Sequence, residues 1–358
     1  MKVLQVINSL HTGGAEKLLL ETIPRYRDAG VEMDILLLDG TVTPFLSALK
    51  ENSKCTVYFS SKASVYHPLH IFRLRKYLKN YDIVHVHLFP SLYWVALSIF
   101  FFRIKTKTIF TEHSSHNRRR HSFYRVFERW IYSKYDTIIT ISENSKQNLK
   151  QHIRGVKNNL VTINNGVAIS KFINASESAE ILSKKVGNKK FLIQVSRFYY
   201  PKDQNTVIRC LQHLPQEVAL LLVGNGKEIH TSKKLVTKLG LENRVHFLGL
   251  RSDVPALLKA SDIVILSSQY EGLSLSSIEG MASGKPFIAS EVPGLTEIVK
   301  NAGILFSVGN EKELALRISE LLENKELYAN VALKCQQRAA QYSIEHMVES
   351  HLKLYKSL

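Results

Sequence analysis

Two glutamates, Glu271 and Glu279, stand eight residues apart in the stretch Ser267–Glu297, SSQYEGLSLSSIEGMASGKPFIASEVPGLTE. Taken as one helix, that spacing separates them by about 12 Å, at about 1.5 Å per residue. This is too far for two carboxylates working on one bond, as in a retaining hydrolase at about 5.5 Å. It suits a long ligand with a hydroxylated group at each end, Glu279 accepting from one and Glu271 from the other. Between them Gly272, Leu273 and Ser274 precede a helical pattern. Free N–H groups at a helix start make a ready site for a diphosphate. Arg197 and Lys202 follow another apolar run, where a fork and a point charge would stabilise charge building on a diphosphate leaving group. Gly224-Asn225-Gly226 follows a third run and allows close approach of backbone to ligand. Leu250 and Arg251 follow a fourth and would line a base pocket. Taken singly, each feature also has an ordinary reading as a surface charge or a turn.

The elements that position these groups are short runs rich in Val and Ile, alternating with longer amphipathic stretches. Val3–Ile7, Asp34–Leu38, Ile83–Val86, Thr108–Phe110 and Thr137–Ile141 read as strands, with helical patterns such as Ala15–Ala29 and Pro68–Lys79 between them. The rhythm restarts at Phe191–Val195 and continues through Ala219–Val223, Val245–Leu248, Ile263–Leu266, Phe287–Ala289 and Ile304–Phe306. Continuous apolar strands interleaved with helices predict parallel sheets covered on both faces. The expectation is an α/β protein with two Rossmann-like, doubly wound domains facing across a cleft. The first spans 1–167. A polar connection spans 168–190, a second domain spans 191–342, and a helix follows at 343–358, with a crossing back to the first domain as one option. Ligands of such sheets bind at the carboxyl ends of the strands, at the switch point in strand order.

The 358 residues carry a formal net charge of +17, unevenly placed. Lys and Arg number 24 against 12 Asp and Glu as far as Val167, and 24 against 19 beyond it. A basic first half implies an anionic partner. A nucleic acid is disfavoured, because no aromatic platform interleaves the basic residues and no nucleic-acid motif occurs. The helix Pro68–Lys79, with Arg73, Arg75, Lys76 and Lys79 beside Leu69, Phe72 and Leu78, reads as a basic amphipathic face for an anionic membrane. Trp94–Phe102 reads as a buried helix. The three cysteines, Cys55, Cys210 and Cys335, are widely spaced and odd in number, which predicts reduced thiols in a cytoplasmic protein. The start, MKVLQVINSL, reads as a strand rather than a signal peptide, and Leu92–Phe102 is about half the length that spans a bilayer.

In this order and at this spacing, the motifs resemble glycosyltransferase family 4, retaining transferases of GT-B fold, over nearly the whole chain. The resemblance rests on Gly13-Gly14-Ala15-Glu16, Thr111-Glu112-His113, Asn164-Asn165-Gly166-Val167, Ser196-Arg197 with Lys202, Leu222-Val223-Gly224-Asn225-Gly226, Val245-His246-Phe247-Leu248-Gly249, Glu271 with Glu279, and Ala282-Ser283-Gly284-Lys285-Pro286. It implies that Arg197 and Lys202 hold the diphosphate of a nucleotide sugar, Glu271 contacts the donor sugar and Glu279 the ribose. Gly14 would bring its backbone near the phosphate or acceptor, with Gly13 on the acceptor side. His113 would face the donor sugar, and His113 and Glu271 are the catalytic candidates. No metal or other cofactor is implied, and no Asp-x-Asp motif occurs to bridge one to a diphosphate. Two positions depart from the family's pattern: Ala168 where an acidic residue often stands, and Gly280 where alanine often follows the second glutamate.

The implied reaction moves a hexosyl or N-acetylhexosaminyl group from a nucleotide-diphosphate sugar, a UDP-sugar ahead of a GDP-sugar, to a hydroxyl with retention, in surface polysaccharide assembly. The expected acceptor is a glycan or a polyprenyl-diphosphate-linked saccharide at the inner face of a membrane, with Arg118, Arg119 and Arg120 binding its phosphate. The alternatives are a basic nucleic-acid-binding protein and a sugar-nucleotide epimerase of the same fold, and the epimerase would convert donor with no acceptor present.

Overall fold

The chain is described here from a computed structural model covering residues 1–11, 13–61, 64–113, 125–155, 159–184 and 188–358. It divides into two units, Met1–Gly166 with Ile344–Leu358, and Val167–Ser343.

The first unit holds strands β1 (Lys2–Ile7), β2 (Glu32–Asp39), β3 (Val57–Ser61), β4 (Ile83–His87), β5 (Lys107–Glu112), β6 (Thr137–Thr140) and β7 (Asn159–Thr162). The helices between them are α1 (Gly14–Asp28), α2 (Pro44–Asn52), α3 (His70–Leu78), α4 (Ser91–Phe102), α5 (Arg125–Tyr132) and α6 (Glu143–His152). All seven strands are parallel, in the order β3-β2-β1-β4-β5-β6-β7. The order reverses between β1 and β4, so the loops after those two strands meet. Asn8 ties them: its Nδ2 donates to Phe89 O at 2.7 Å, and Ser91 N and Oγ donate to its Oδ1 at 3.2 and 2.7 Å. Right-handed crossovers put helices leading away from the switch point in opposite directions on opposite faces of the sheet. Accordingly α3 packs on α4 and α4 on α5, while α1 packs on α2. One core joins Leu4, Val6, Leu36, Val84, Val86, Phe110 and Ile138 of the sheet to Leu74, Leu78, Leu92, Val95, Ile131 and Tyr132 of α3, α4 and α5.

The second unit holds α7 (Ile169–Ile173), α8 (Ala179–Lys184), β8 (Lys190–Val195), α9 (Gln204–Cys210), β9 (Val218–Val223), α10 (Ile229–Lys238), β10 (Val245–Gly249), α11 (Val254–Ala260), β11 (Ile263–Leu266), α12 (Leu275–Ala282), β12 (Phe287–Ser290), α13 (Pro293–Val299), β13 (Ile304–Phe306), α14 (Glu311–Glu323) and α15 (Lys325–Ala340). Its parallel sheet runs β10-β9-β8-β11-β12-β13, reversing between β8 and β11. The polar segment after Val167 is not bare connection: α7 packs on α11 and α12, and α8 on α11. The last helix, α16 (Ile344–Ser357), returns to the first unit and packs on α1.

Both units are thus doubly wound parallel sheets, as the strand and helix periods predict. Two strands escape that reading, β3 and β7. They are the two edges of the first sheet, and an edge strand lacks the unbroken apolar run of a central one. The expectation of a buried helix over Trp94–Phe102 is also corrected. Ser91, Leu92, Val95, Ala96 and Ser98 face inward, but Phe100 and Phe101 are exposed. Among the described residues no helix is long and apolar enough to cross a membrane.

Candidate donor site and the histidine network

Strands β8 and β11 are neighbours, with Ile263 beside Leu192 and Val264 beside Ile193. Their following loops therefore emerge side by side at the switch point of the second sheet. The first carries Arg197 and Lys202, the second Glu271 to Ser274. Backbone bonds join the two loops: Gln269 N donates to Pro201 O at 2.8 Å and Asp203 N to Ser267 O at 3.1 Å. Lys202 and Ser268 form an isolated antiparallel bridge. Two buried glutamines add to the lacing. Gln194 Nε2 donates to Ser196 Oγ at 3.0 Å, and Gln204 Nε2 to Ser196 Oγ and Arg197 O at 2.9 and 3.0 Å. Each such bond is worth about 1 kcal/mol net, so several together hold both loops in one geometry.

That geometry brings Lys202 and Glu271 into contact, Nζ donating to Oε1. Both side chains are mostly out of water. Arg197 is exposed, and its guanidinium has no partner among the described residues. The helix α12 begins at Leu275 with Ser274 as its N-cap, and the Ser274 side chain does not cap it. Glu271 accordingly lies in the loop rather than on the helix. Only Leu275 to Glu279 contributes helical rise, about 6 Å at 1.5 Å per residue. Gly272, Leu273 and Ser274 lie just before the helix, and their N–H groups meet no acceptor among the described residues. A run of free N–H groups, an unpaired guanidinium and an ammonium at one switch point can receive a diphosphate. Glu279 is buried on α12.

The glycines around this loop are required by space. Gly224 and Gly226 have φ of +133° and +155°, and a Cβ on either would lie 2.1 Å from Ser196 O or 2.4 Å from Phe198 O. Gly294, at the start of α13, was not singled out in sequence. A Cβ there would lie 2.1 Å from Gly272 O and 2.4 Å from Glu271 O. Its missing side chain lets α13 rest directly on the backbone of the glutamate loop.

Leu250 and Arg251 follow β10, the edge strand, three positions from β11. Leu250 is exposed. The Arg251 guanidinium is taken up by Asp253, at 2.8 and 2.7 Å, and by Glu180 at 3.0 Å. Those carboxylates raise its pKa, and Arg251 in turn lowers that of Asp253. What this residue can offer a base is its planar face rather than free charge.

Gly13, Gly14 and His113 belong to the first unit. Gly13 is the N-cap of α1 and Gly14 its first residue. Arg118, Arg119 and Arg120 fall outside the described residues. Next to His113, Glu112 is buried and accepts from Tyr132 Oη at 2.5 Å.

Behind His113 lies a polar network that is no part of the sequence reading, although the alternation His85-Val86-His87 puts both imidazoles on one face of β4. His87 Nδ1 is 2.9 Å from His113 Nε2, and His87 Nε2 is 2.7 Å from Gln5 Oε1. Gln5 Nε2 is 3.2 Å from both Met33 Sδ and Tyr355 Oη. A thioether can only accept, so the amide nitrogen belongs on that side and the carbonyl oxygen faces His87. His87 must then donate through Nε2 and accept through Nδ1, and His113 must donate through Nε2. Burial, reinforced by neighbouring histidines, holds His85 and His87 well below the usual imidazole pKa and pushes His113 and His351 down to about 4. All four are neutral near pH 7. A neutral His113 protonated on Nε2 has a bare Nδ1, which can accept from a substrate hydroxyl but cannot donate. A cavity of about 30 Å³ borders this cluster, lined in part by His87, His113, His351 and Asn165. It has room for one water.

Among the described residues no group of three or more His, Cys, Asp or Glu is placed to hold a metal ion. Cys210 and Cys335 are buried, and burial pushes both thiols up to about 12, so they are packing groups.

Residues 12–171 match Glycosyltransferase Family 4, and residues 177–338 match Glycosyl transferases group 1. N-acetyl-alpha-D-glucosaminyl L-malate synthase of Bacillus anthracis is 34% identical over 182 residues, 49% of this chain and 48% of that one. N,N'-diacetylbacillosaminyl-diphospho-undecaprenol alpha-1,3-N-acetylgalactosaminyltransferase of Campylobacter jejuni is 31% identical over 210 residues, 56% of this chain and 55% of that one. The chain thus spans about half the length of each of these two relatives. HepE of Anabaena, solved with UDP and glucose, superposes with a TM-score of 0.85 at 25% identity, over 100% of both chains, and it was also solved with UDP alone and with UDP-glucose. Two doubly wound sheets, a charged and glycine-lined switch point in the second, and these matches from end to end place the chain among the glycosyltransferases of GT-B fold, related to Glycosyltransferase Family 4 and Glycosyl transferases group 1.

Proposed function

We propose that this chain transfers a hexosyl or N-acetylhexosaminyl group from a UDP-sugar to a hydroxyl of a polyprenyl-diphosphate-linked saccharide, with retention, in the assembly of a surface polysaccharide. The observation that carries the reading is the meeting of Lys202, Glu271 and the free N–H groups of Gly272, Leu273 and Ser274 where β8 and β11 diverge. In this reading Arg197 and Lys202 bind the diphosphate and stabilise the charge it gains as the anomeric C–O bond breaks. Glu279 takes the ribose hydroxyls. Glu271, steadied by Lys202, takes sugar hydroxyls, and His113 accepts from a substrate hydroxyl through Nδ1. The acceptor oxygen bonds to the anomeric carbon from the side the diphosphate leaves. Its proton passes to the departing phosphate oxygen, which gives retention without a protein nucleophile. HepE supports UDP as the carrier. The named substrate of the Campylobacter jejuni relative supports a lipid-diphosphate acceptor, and the basic first unit agrees with both a phosphorylated acceptor and an anionic membrane surface.

The test is incubation with UDP-glucose, UDP-galactose and their N-acetylamino counterparts, with and without a polyprenyl-diphosphate-linked saccharide, the product being read by NMR. Acceptor-dependent UDP release with an α-linkage formed from an α-linked donor is the expected result. A β-linked product would overturn retention. Conversion of donor to its epimer without acceptor would replace the transferase reading altogether.

A further inference from the structure

We propose that the outer face of α3, α4 and α5 is the surface by which this chain docks on a membrane rich in anionic lipid. A helix covering a sheet turns one face inward and shows water a polar one. The twelve residues of α4, SLYWVALSIFFF, include no charged side chain. Its outer side carries Phe100 and Phe101, 49% and 61% exposed, while Trp94 and Leu97 are half-buried and pack against the core. The neighbours extend this surface. On α3, Phe72 is 64% exposed and meets Phe102 edge-on at 5.8 Å. On α5, Trp130 meets Phe100 at 5.0 Å. Isolated exposed apolar residues need no explanation, but a contiguous set across three helices marks a binding surface.

The rim of this surface identifies the occupant. Between Ser64 and Thr111 the chain has seven Lys and Arg and a single acidic residue, Asp82. Arg73, Arg75, Lys76 and Lys79 lie on or just beyond α3, and Arg103, Lys105 and Lys107 follow α4, all exposed. Cations also sit on the aromatic rings themselves, Arg75 over Phe102 at 4.9 Å and Lys134 over Phe100 and Trp130 at 5.2 and 4.8 Å. Exposed aromatics rimmed by one sign of charge are the chemistry of a monotopic protein on anionic headgroups: the rings enter the boundary with the acyl chains and the cations meet phosphate. The surface lies wholly within the first unit, and, resting on the proposed function, it holds the enzyme where a lipid-linked acceptor resides.

The test uses the two tryptophans of the chain, Trp94 and Trp130, both half-buried just behind this surface. The full chain is titrated with vesicles of phosphatidylglycerol carrying brominated acyl chains, or of brominated phosphatidylcholine alone, while tryptophan fluorescence and co-sedimentation are followed. Anionic vesicles are expected to quench and sediment the protein, and neutral vesicles to do neither. Phe100→Ser with Phe101→Ser should abolish quenching. Replacing Arg73, Arg75, Lys76 and Lys79 by Gln should weaken binding by up to several hundredfold, at roughly fivefold per cation. Stabilisation by UDP is measured on every variant. Quenching by both kinds of vesicle, binding without quenching, or binding unchanged in either variant overturns the proposal. So does absence of binding together with concentration-dependent self-association, which would mark a surface for a second copy. Loss of UDP stabilisation in the wild type with vesicle quenching intact would refute the transferase reading and leave the docking surface standing.

Discussion

Replacing Gly294 by alanine should displace the glutamate loop and nothing else nearby. In an ordinary helix the change gains about 1 kcal/mol, because alanine loses less backbone entropy. Here the new Cβ would stand 2.1 Å from Gly272 O and 2.4 Å from Glu271 O. Carbon and carbonyl oxygen approach no closer than about 3.3 Å in ordinary contacts, so one backbone must retreat by about 1 Å. Both obstacles are main-chain atoms, and no rotamer change relieves them. Overpacking of this kind costs about 1–3 kcal/mol, which outweighs the helical gain and reverses its sign. The retreating peptide carries Glu271 and the N–H groups assigned to the diphosphate. A misplacement of about 1 Å at a reacting site costs on the order of 100-fold in rate. Gly294→Ala should therefore melt at or slightly below the wild-type temperature and turn over donor about 100-fold more slowly, with its circular dichroism unchanged. An alanine variant that melts higher and retains full turnover would refute the reasoning, since α13 would then not set the position of the loop.

The departure at Gly280 has a steric cause: a Cβ there would lie 2.8 Å from the Phe287 ring and 2.9 Å from Val264 Cγ1. Gly280→Ala should lose about 1–2 kcal/mol in urea unfolding, and Phe287→Leu added to it should recover part of that loss. Acid should destabilise the first unit through its neutral histidines. His351 is buried with its pKa pushed down to about 4, below the unfolded value of about 6.5, so its stabilising share is complete above about pH 6.5 and is lost as pH falls towards 4. That share is about 3 kcal/mol, and His351→Leu should flatten the fall in urea midpoint between pH 7 and pH 4.5 by a corresponding amount. Nitrogen NMR of the histidines at pH 7 should find His113 protonated on Nε2 and bare on Nδ1; a proton on Nδ1 would break the chain of reasoning that starts at Met33.

Central strands such as Ile263–Leu266 and Ala219–Val223 are legible in sequence because burial on both faces leaves an unbroken apolar run. The edge strands Val57–Ser61 and Asn159–Thr162 carry no such run. The polar stretch after Val167 hides α7 and α8, which are too short to show a period. At the site, Arg197, Lys202 and Glu271 are visible as charges following apolar runs, but that Lys202 meets Glu271 depends on β8 and β11 being neighbours, a fact of strand order. Gly294 is invisible for another reason: its importance lies in a carbonyl more than twenty residues away in sequence. The histidine network is partly legible, from two imidazoles on one face of a buried strand, whereas Gln5, Met33 and His351 join it only through the fold. The outward face of α4 was masked by its own hydrophobicity, since an uncharged helix reads as buried until its surroundings are known.

The most direct test of the donor site is a thermal-shift panel of UDP, GDP and ADP and their common sugar conjugates against the wild type, Lys202→Ala and Glu279→Ala. A ligand at 100 times its dissociation constant stabilises by about 2.7 kcal/mol. Stabilisation of the wild type by UDP and a UDP-sugar, weakened in both variants, is the result this account predicts. Stabilisation by no nucleotide, or by UDP equally in all three proteins, would contradict it.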